Sequence, residues 1–467
     1  MWTREKVEEL VKQQRAYFKT HITLDVNWRI ERLICLRTAI QQNERMLLDA
    51  LHKDLGRSDT EGYISDIGAV IVELNEMIHH LKKWAKPELH WSGILAFPSL
   101  FTRVYKMPYG VSLIIAPFNF PYLLSLGVLG AAISGGNTAI LKLSSKSAHC
   151  TAALKQLIEE CFDQQYIAVV DGGHDLADAC LDQRVDKIFY TGSVNVAKHV
   201  MAKASQHLIP VGLELGAENG NWCVIRKDAD LKDAARKIAF FKAFNAGQVC
   251  ININQIAVAQ EVAEQFVDHL KEAFQAQLGE FPEQNPEYAK LINHQAYQQC
   301  VIEAEKYRDR IVYGGRGEES TCKYAPTIIY PVHIDEEIVQ HELFNPLLPI
   351  VPYPDDEVQK VIDTIEDREH GLSFYLFTQD VAWARETISK MQFGGGCINE
   401  VCVHLIVKGV PFNGTGHSGM GAYHGVWGFR EFTHPMTVLE GRTKFNLPIR
   451  EHPYRSWKLK ILKLLER

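Results

Sequence analysis

Apolar residues recur at helical spacing early in the chain. Ile30, Leu33 and Ile34, then Ile40, Leu47 and Leu51, stand on one side with charges between them, so residues 4–52 read as helices. Gly56 supplies a stop. A second helical pattern covers 67–84, with Pro87 just beyond it. The pattern then becomes regular. Short runs apolar through their length alternate with helical ones: 111–115 then 123–133, 138–142 then 148–161, 167–170 then 176–181, 187–190 then 194–207, and finally 211–215. Strands apolar along both faces are strands buried on both faces, so repeated strand–helix–strand units predict a doubly wound, mostly parallel sheet. Such sheets take ligands at the carboxyl ends of their strands, where this chain has Asn119, Lys142 and Ser193. A second α/β region starts near 217, with a helix over 234–244, a strand over 255–258 and a long helix to about 278. Gly394-Gly395-Gly396 and the glycine-rich stretch 411–425 read as loops. Residues 456–467 read as a short basic amphipathic helix.

Length and composition narrow the function classes. The 467 residues suggest about three domains at ~150 residues each. With 46% hydrophobic and 23% charged residues the chain is an ordinary globular one, and 50 basic against 57 acidic residues gives no signature of nucleic-acid binding. Its ten cysteines are scattered, without CxxC or zinc-ligand spacing, so no metal site is expected and a reducing cytoplasm fits. The N-terminal segment, acidic and without a long apolar run, is not a signal peptide. The apolar stretch from Tyr122 to Leu143 is cut by Ser134-Gly135-Gly136-Asn137-Thr138 and is too short to cross ~30 Å of hydrocarbon.

A few polar residues stand out against this background. Cys250 closes Phe244-Asn245-Ala246-Gly247-Gln248-Val249-Cys250, a small-residue turn after a helix, where a thiol can face a cleft. A buried structural cysteine is the ordinary reading of any one thiol, but a thiolate placed so can attack a carbonyl. Glu214, in Leu213-Glu214-Leu215-Gly216, ends an apolar strand. It is either a strand end turning to solvent or a buried carboxyl with the raised pKa of a general base. Asn119 sits in Ala116-Pro117-Phe118-Asn119-Phe120-Pro121, where two prolines fix the loop and an amide could donate to a developing oxyanion. Lys142 ends a strand, and Tyr190-Thr191-Gly192-Ser193 is a strand-to-helix turn of the kind that favours phosphate, though not a GxGxxG loop.

Together these segments resemble the aldehyde dehydrogenase superfamily. Segments 116–121, 190–193, 213–216 and 247–250, and then Glu342-Leu343-Phe344-Asn345-Pro346, match in order, and the resemblance covers nearly the whole chain. Ser418-Gly419-Met420-Gly421-Ala422-Tyr423-His424-Gly425, followed by Gly428-Phe429, resembles the class 3 branch. The resemblance implies oxidation of an aldehyde through a Cys250 thiohemiacetal and thioester, with hydride passing to NAD or NADP. Glu214 would activate the hydrolytic water, and Asn119 with the Cys250 N–H would hold the oxyanion. Lys142, Ser145, Gly192, Ser193, Leu215, Glu342 and Phe344 would bind the cofactor, without a metal. It also implies a division into a dinucleotide-binding domain (1–84 and 107–216), a catalytic thiol domain (217–408) and a bridging or oligomerisation part (85–106 and 409–467), with a homodimer built through a bridging β-element.

Departures from the family pattern qualify the expectation. An acid is usual three positions after the lysine; here Ser145 stands there. Losing it removes repulsion of a 2′-phosphate, so NADP should be tolerated or used. Ala217-Glu218 replaces a usual Gly-Lys, and Ala197, Asn345 and Asn413 replace usual glycines. An acylating enzyme that passes the acyl group to coenzyme A would not need Glu214, and the departures near Glu218 and Asn345 would suit a non-catalytic relative kept as a binding or structural protein. Phe118, Phe120, Tyr122, Phe241 and Phe244 near the expected site, mostly core by ordinary odds, favour a medium-chain aliphatic or aromatic aldehyde. Trp457, Ile461, Leu464 and Leu465 share a face of the C-terminal helix, which could rest on an anionic membrane; packing against a neighbouring domain or subunit is the preferred reading. No hydrophobic anchor precedes Arg467.

Overall fold

The computed structural model describes residues 2–441, 443 and 445–465. Two large sheets carry the molecule. The first has six strands in the order Gly419–Met420, Val211–Leu215, Lys187–Gly192, Val111–Ile115, Thr138–Lys142 and Ile167–Val170. Its pairings are parallel except at the Gly419–Met420 edge, where Gly419 lies opposite Glu214. The second has seven strands: Ile311–Tyr313, Thr327–Ile329, Leu347–Tyr353, Gln255–Ala259, Trp222–Ile225, Ser373–Phe377 and Gly395–Ile398. It too is parallel, apart from its Ile311–Tyr313 edge.

Alternation along the strands explains why helices cover both faces of the first sheet. Val111, Leu113, Ile140, Ile188, Leu213 and Leu215 pack into one apolar cluster with Val7, Leu10, Leu176 and Val200. Their neighbours Ile114, Leu141, Val169 and Phe189 enter another with Leu33, Leu74, Leu129 and Leu157. Side chains one residue apart on a strand point to opposite faces. Glu214, between Leu213 and Leu215, therefore faces away from their cluster.

Helices Arg4–Phe18, Val26–Gln42 and Glu44–Leu55 fill the first region predicted helical, the last ending just before Gly56. Thr3 and Asp25 cap the first two by accepting backbone N–H bonds. Helix Gly68–Trp84 follows a wide π turn at Tyr63–Ile67. The apolar stretch after Tyr122 forms a buried helix and a strand, and no helix among the described residues is long and apolar enough to cross a membrane.

Two segments expected as loops supply strands. Gly395–Ile398 is the parallel edge of the seven-stranded sheet, and Gly419–Met420 extends the six-stranded one. The glycines there serve close approach rather than turning: a Cβ on Gly396 would strike the Phe374 carbonyl, and one on Gly394 the Asn413 carbonyl. The 409–467 stretch is thus shared between sheets. Its strand Thr433–Leu439 pairs with Phe101–Pro108, which pairs with Glu88–Trp91, in a small antiparallel sheet. That sheet exposes Leu89, Trp91, Phe101, Met436, Val438 and Leu439. The C-terminal helix, Ser456–Leu465, leaves Trp457, Ile461, Leu464 and Leu465 exposed in the single chain, while Lys458 is buried and donates to the Glu451 carbonyl. Glu466 and Arg467 lie outside the described residues.

Gly396→Ala should lower stability by about 2 kcal/mol or more, because the added methyl meets backbone that cannot move without breaking sheet pairing. Urea unfolding measures this; an unchanged midpoint would show that the edge strand is not packed as described.

Candidate active site

The strand Val211–Leu215 delivers Glu214 at its carboxyl end, and the turn after helix Leu231–Ala243 delivers Cys250. That turn is unusual. Asn245 (φ 50°), Ala246 (φ 50°) and Gly247 (φ 79°) are all left-handed, a conformation costing roughly 1–2 kcal/mol for each residue that bears a Cβ. It persists because hydrogen bonds hold it on several sides. Asn245 N–H donates to Glu61 Oε1 (2.8 Å), and its side-chain amide donates to the carbonyls of Asn119 (3.1 Å) and Gln248 (2.9 Å). Gln248 Nε2 donates to the Asn245 and Lys290 carbonyls, each at 3.0 Å, and Asn252 Nδ2 donates to the Gly247 carbonyl at 2.8 Å. Gly247 is obligatory: a Cβ there would strike the Asn345 carbonyl. Asn221 then ties the end of the turn to the seven-stranded sheet. Its Nδ2 donates to the carbonyls of Cys250 (2.8 Å) and Asn252 (3.0 Å), and its Oδ1 accepts from Ser373 N–H (2.7 Å).

Cys250 is half-buried and forms no disulfide. Glu214 is 2% exposed, and neither carboxylate oxygen has a hydrogen-bond partner among the described residues. Burial pushes its carboxyl up to about 7, and only the adjacent Cys250 thiol favours the charged form. Burial, followed by the charge of Glu214, raises Glu342 to about 8, and Glu342 lies against Gly216 with Oε1 unpartnered. Burial and these two carboxylates in turn push the Cys250 thiol well above its usual range. The Asn119 side chain is buried and donates Nδ2 to the Gln248 carbonyl at 3.2 Å, which leaves its second amide proton free to serve a ligand. Cys250, Glu214, Asn119 and Glu342 therefore share one place, between the two sheets.

The expected cofactor positions line the same end of the six-stranded sheet. Lys142 is buried, with Nζ donating to the Leu143 (2.8 Å) and Gly172 (2.9 Å) carbonyls, and burial lowers its pKa. Ser145 is exposed and carries no charge to face a phosphate. Gly192 ends its strand and Ser193 is exposed at the N-terminus of helix Val194–Ser205, where unpaired N–H groups suit a diphosphate. Leu215 is buried under this corner, and Phe344 meets Phe118 edge-to-face at 6.0 Å between ring centroids. A buried carboxylate with an unpartnered oxygen, Glu342, and a buried lysine held only by carbonyls are groups that a ribose would satisfy. The residues fit a nicotinamide dinucleotide.

Most departures leave the site intact. Glu218 turns outward to an ion pair with His417, which also meets Glu369 at 3.6 Å. Asn345 Oδ1 accepts from Leu347 N–H at 2.9 Å, and Ala197 is buried without a polar atom to satisfy. Sequence reasoning missed Tyr423, whose buried phenol is held neutral by burial and then by the charges of Glu214 and Cys250. It also missed Arg57, Asn221 and Asn245, since a clamp between distant segments has no local pattern.

The raised Glu214 carboxyl makes a stability prediction. Its folded value of about 7 exceeds the ordinary 4.5, so the charged form opposes folding. That cost is absent below about pH 4.5 and grows as pH rises, reaching about 3 kcal/mol above pH 7. Glu214→Gln should raise Tm at pH 8, and the gain should shrink toward pH 5; a pH-independent gain, or a loss, would contradict the buried unpaired carboxylate.

Comparisons with known proteins identify the family. The model of the aldehyde dehydrogenase family matches residues 1–438. The chain is 35% identical over 457 residues, 98% of each chain, to a 4,4'-diaponeurosporen-aldehyde dehydrogenase of Staphylococcus aureus. It is 34% identical to a dimeric NADP-preferring aldehyde dehydrogenase of Rattus norvegicus, covering 93% of this chain and 94% of that one. The structure of a substrate-bound Staphylococcus aureus AldH superposes with a TM-score of 0.95 at 34% identity, covering 99% of each chain.

Proposed function

The chain belongs to the aldehyde dehydrogenase family and oxidises an aldehyde with NAD or NADP, and we propose that Cys250, Glu214 and Asn119 carry that reaction on an apolar aldehyde. The observation that supports this reading is an unpaired, half-buried cysteine beside a buried, unpartnered carboxylate, with a free amide proton from a fixed loop close by.

The chemistry follows from these groups. Sulfur of Cys250 adds to the carbonyl carbon while its proton passes to Glu214, whose raised pKa suits transfer near neutral pH. The oxygen that gains charge meets the Asn119 amide and the Cys250 N–H. When bound, the nicotinamide cofactor supplies the acceptor for the two electrons and hydrogen that leave the same carbon. A thioester then remains on Cys250. Glu214, its proton lost to solvent, takes one from water. The hydroxide equivalent adds to the acyl carbon, the C–S bond breaks, and the acid leaves with the thiol restored. Lys142, Ser145, Gly192, Ser193, Leu215, Glu342 and Phe344 would hold the cofactor; Lys142 and Glu342 suit its two riboses. Residues 1–84 and 107–216 serve the cofactor in this reading, and 217–408 the thiol.

Phe118, Phe344, Phe120 and Phe244 form ring pairs around the Asn119 loop, which supports medium-chain aliphatic or aromatic aldehydes as substrates. The exposed apolar faces of the small antiparallel sheet, with the dimeric rat relative, support a homodimer. Ten free cysteines support a reducing, cytoplasmic setting.

The test is reduction of NAD and NADP against an aldehyde panel, with Cys250→Ala and Glu214→Gln alongside. Cys250→Ala should abolish turnover, and free acid should form without coenzyme A. Turnover that survives Cys250→Ala would remove the proposed nucleophile. With Ser145 in place of an acid, kcat/KM for NAD and NADP should be comparable; a preference for NAD above ~100-fold (about 2.7 kcal/mol) would contradict the cofactor reading. Wild-type kcat should fall as pH drops through about 7, because Glu214 must be ionised to take a proton from water. Glu214→Gln should cost about 100-fold or more in kcat and lose that limb; a limb that survives the substitution belongs to another group.

A further inference from the structure

Arg57 is an arginine at the end of the Glu44–Leu55 helix region, far in sequence from the site, yet its side chain is 1% exposed and points into the seam between the Asn119 loop and the Cys250 turn. Its guanidinium spends its donors on both sides. Nε donates to Asn245 Oδ1 at 3.0 Å, inside the left-handed turn. Nη2 donates to the backbone carbonyl of Asn119. Nη1 donates to Ser65 Oγ (2.9 Å) and to Asp66 Oδ2 (2.5 Å). Asp66, fully buried, uses its other oxygen to accept from Tyr122 N–H (2.9 Å) and Leu123 N–H (2.7 Å), so it holds the far end of the same loop. The guanidinium also lies 4.5 Å over the Phe120 ring, and Glu61, 3.6 Å from Nε, accepts from Asn245 N–H.

We infer that Arg57 is the positioning residue that sets the separation between the Asn119 amide and the Cys250 thiol. This rests on the reading of those two residues given above. The two groups arrive on different sheets and share few direct bonds; the planar fork bridges Asn119 and Asn245 from a single rigid body. A fork suits the task because its donors lie in one plane at fixed angles, whereas a lysine ammonium carries three donors on one atom and cannot span the same acceptors.

Arg57→Lys keeps the charge opposite Asp66 while removing the fork. Misplacement of a reacting group by about 1 Å costs on the order of 100-fold in rate, so kcat should drop by roughly 10- to 100-fold while KM for NADP stays within about 3-fold. The decisive readout is a double-mutant cycle with Asn119→Ala. If Arg57 acts by placing that amide, adding Arg57→Lys to Asn119→Ala should cost no more than about 3-fold further, because nothing is left to place. Losses that multiply, or a preserved kcat with raised KM and lowered Tm, would make Arg57 merely structural and overturn the inference. Asn119→Ala at wild-type rate would instead overturn the site reading, and the role of Arg57 with it. If Arg57→Lys does not fold, Asn245→Ala, which leaves the Arg57–Asp66 pair in place, is read in the same cycle with the same expectations.

Discussion

The ion pair of Arg57 with Asp66 is sealed from water, and taking two such charges out of solvent costs several kcal/mol each unless geometry and extra hydrogen bonds offset it. Here they do: Asp66 collects two backbone N–H groups besides the guanidinium, and Arg57 reaches two carbonyl-type acceptors besides the carboxylate and a hydroxyl. The site depends on this arrangement because its parts are inherently separable. One sheet brings the carboxylate and the amide loop, the other the thiol, and the thiol turn is held in a conformation that costs energy at Asn245 and Ala246. A strained turn keeps its shape only when its surroundings leave it no alternative, and the ring of side-chain amides from Asn221, Asn245, Gln248 and Asn252 removes the alternatives.

Electrostatics in the pocket follow from the same dryness. Glu214 and Glu342 flank Gly216 and find few partners; burial raises both, and the charge of Glu214 raises Glu342 further. Two carboxylates so placed share protons near neutrality, which is where an acid–base group is most useful. The thiol is held protonated by burial and by the charges of Glu214 and Glu342. A thiol held neutral reacts slowly with electrophiles and oxidants, since reactivity follows the thiolate.

Much of this was legible in the sequence, for identifiable reasons. Strands buried on both faces read as unbroken apolar runs, so the parallel sheet from Val111 to Leu215 could be placed almost residue by residue. Glu214 was visible because a carboxylate in such a run is costly, and Cys250 because small residues precede it. The glycines at 394–396 misled, since close backbone approach in an edge strand and a turn leave the same letters. Gly419 was read as loop for the same reason. Arg57 carried no signal at all: among 50 basic residues, nothing local distinguishes one that ends up buried between segments drawn from positions 66, 119 and 245.

The most direct measurement is of the covalent intermediate. Wild-type enzyme mixed with NADP and an apolar aldehyde, acid-quenched at a series of times across the first turnover and digested, should carry the acyl group as a thioester on the peptide containing Cys250, with one cofactor reduced per site. Acylation at another cysteine, such as the buried Cys397 beside His404, or full reduction with no acylated peptide, would contradict the account.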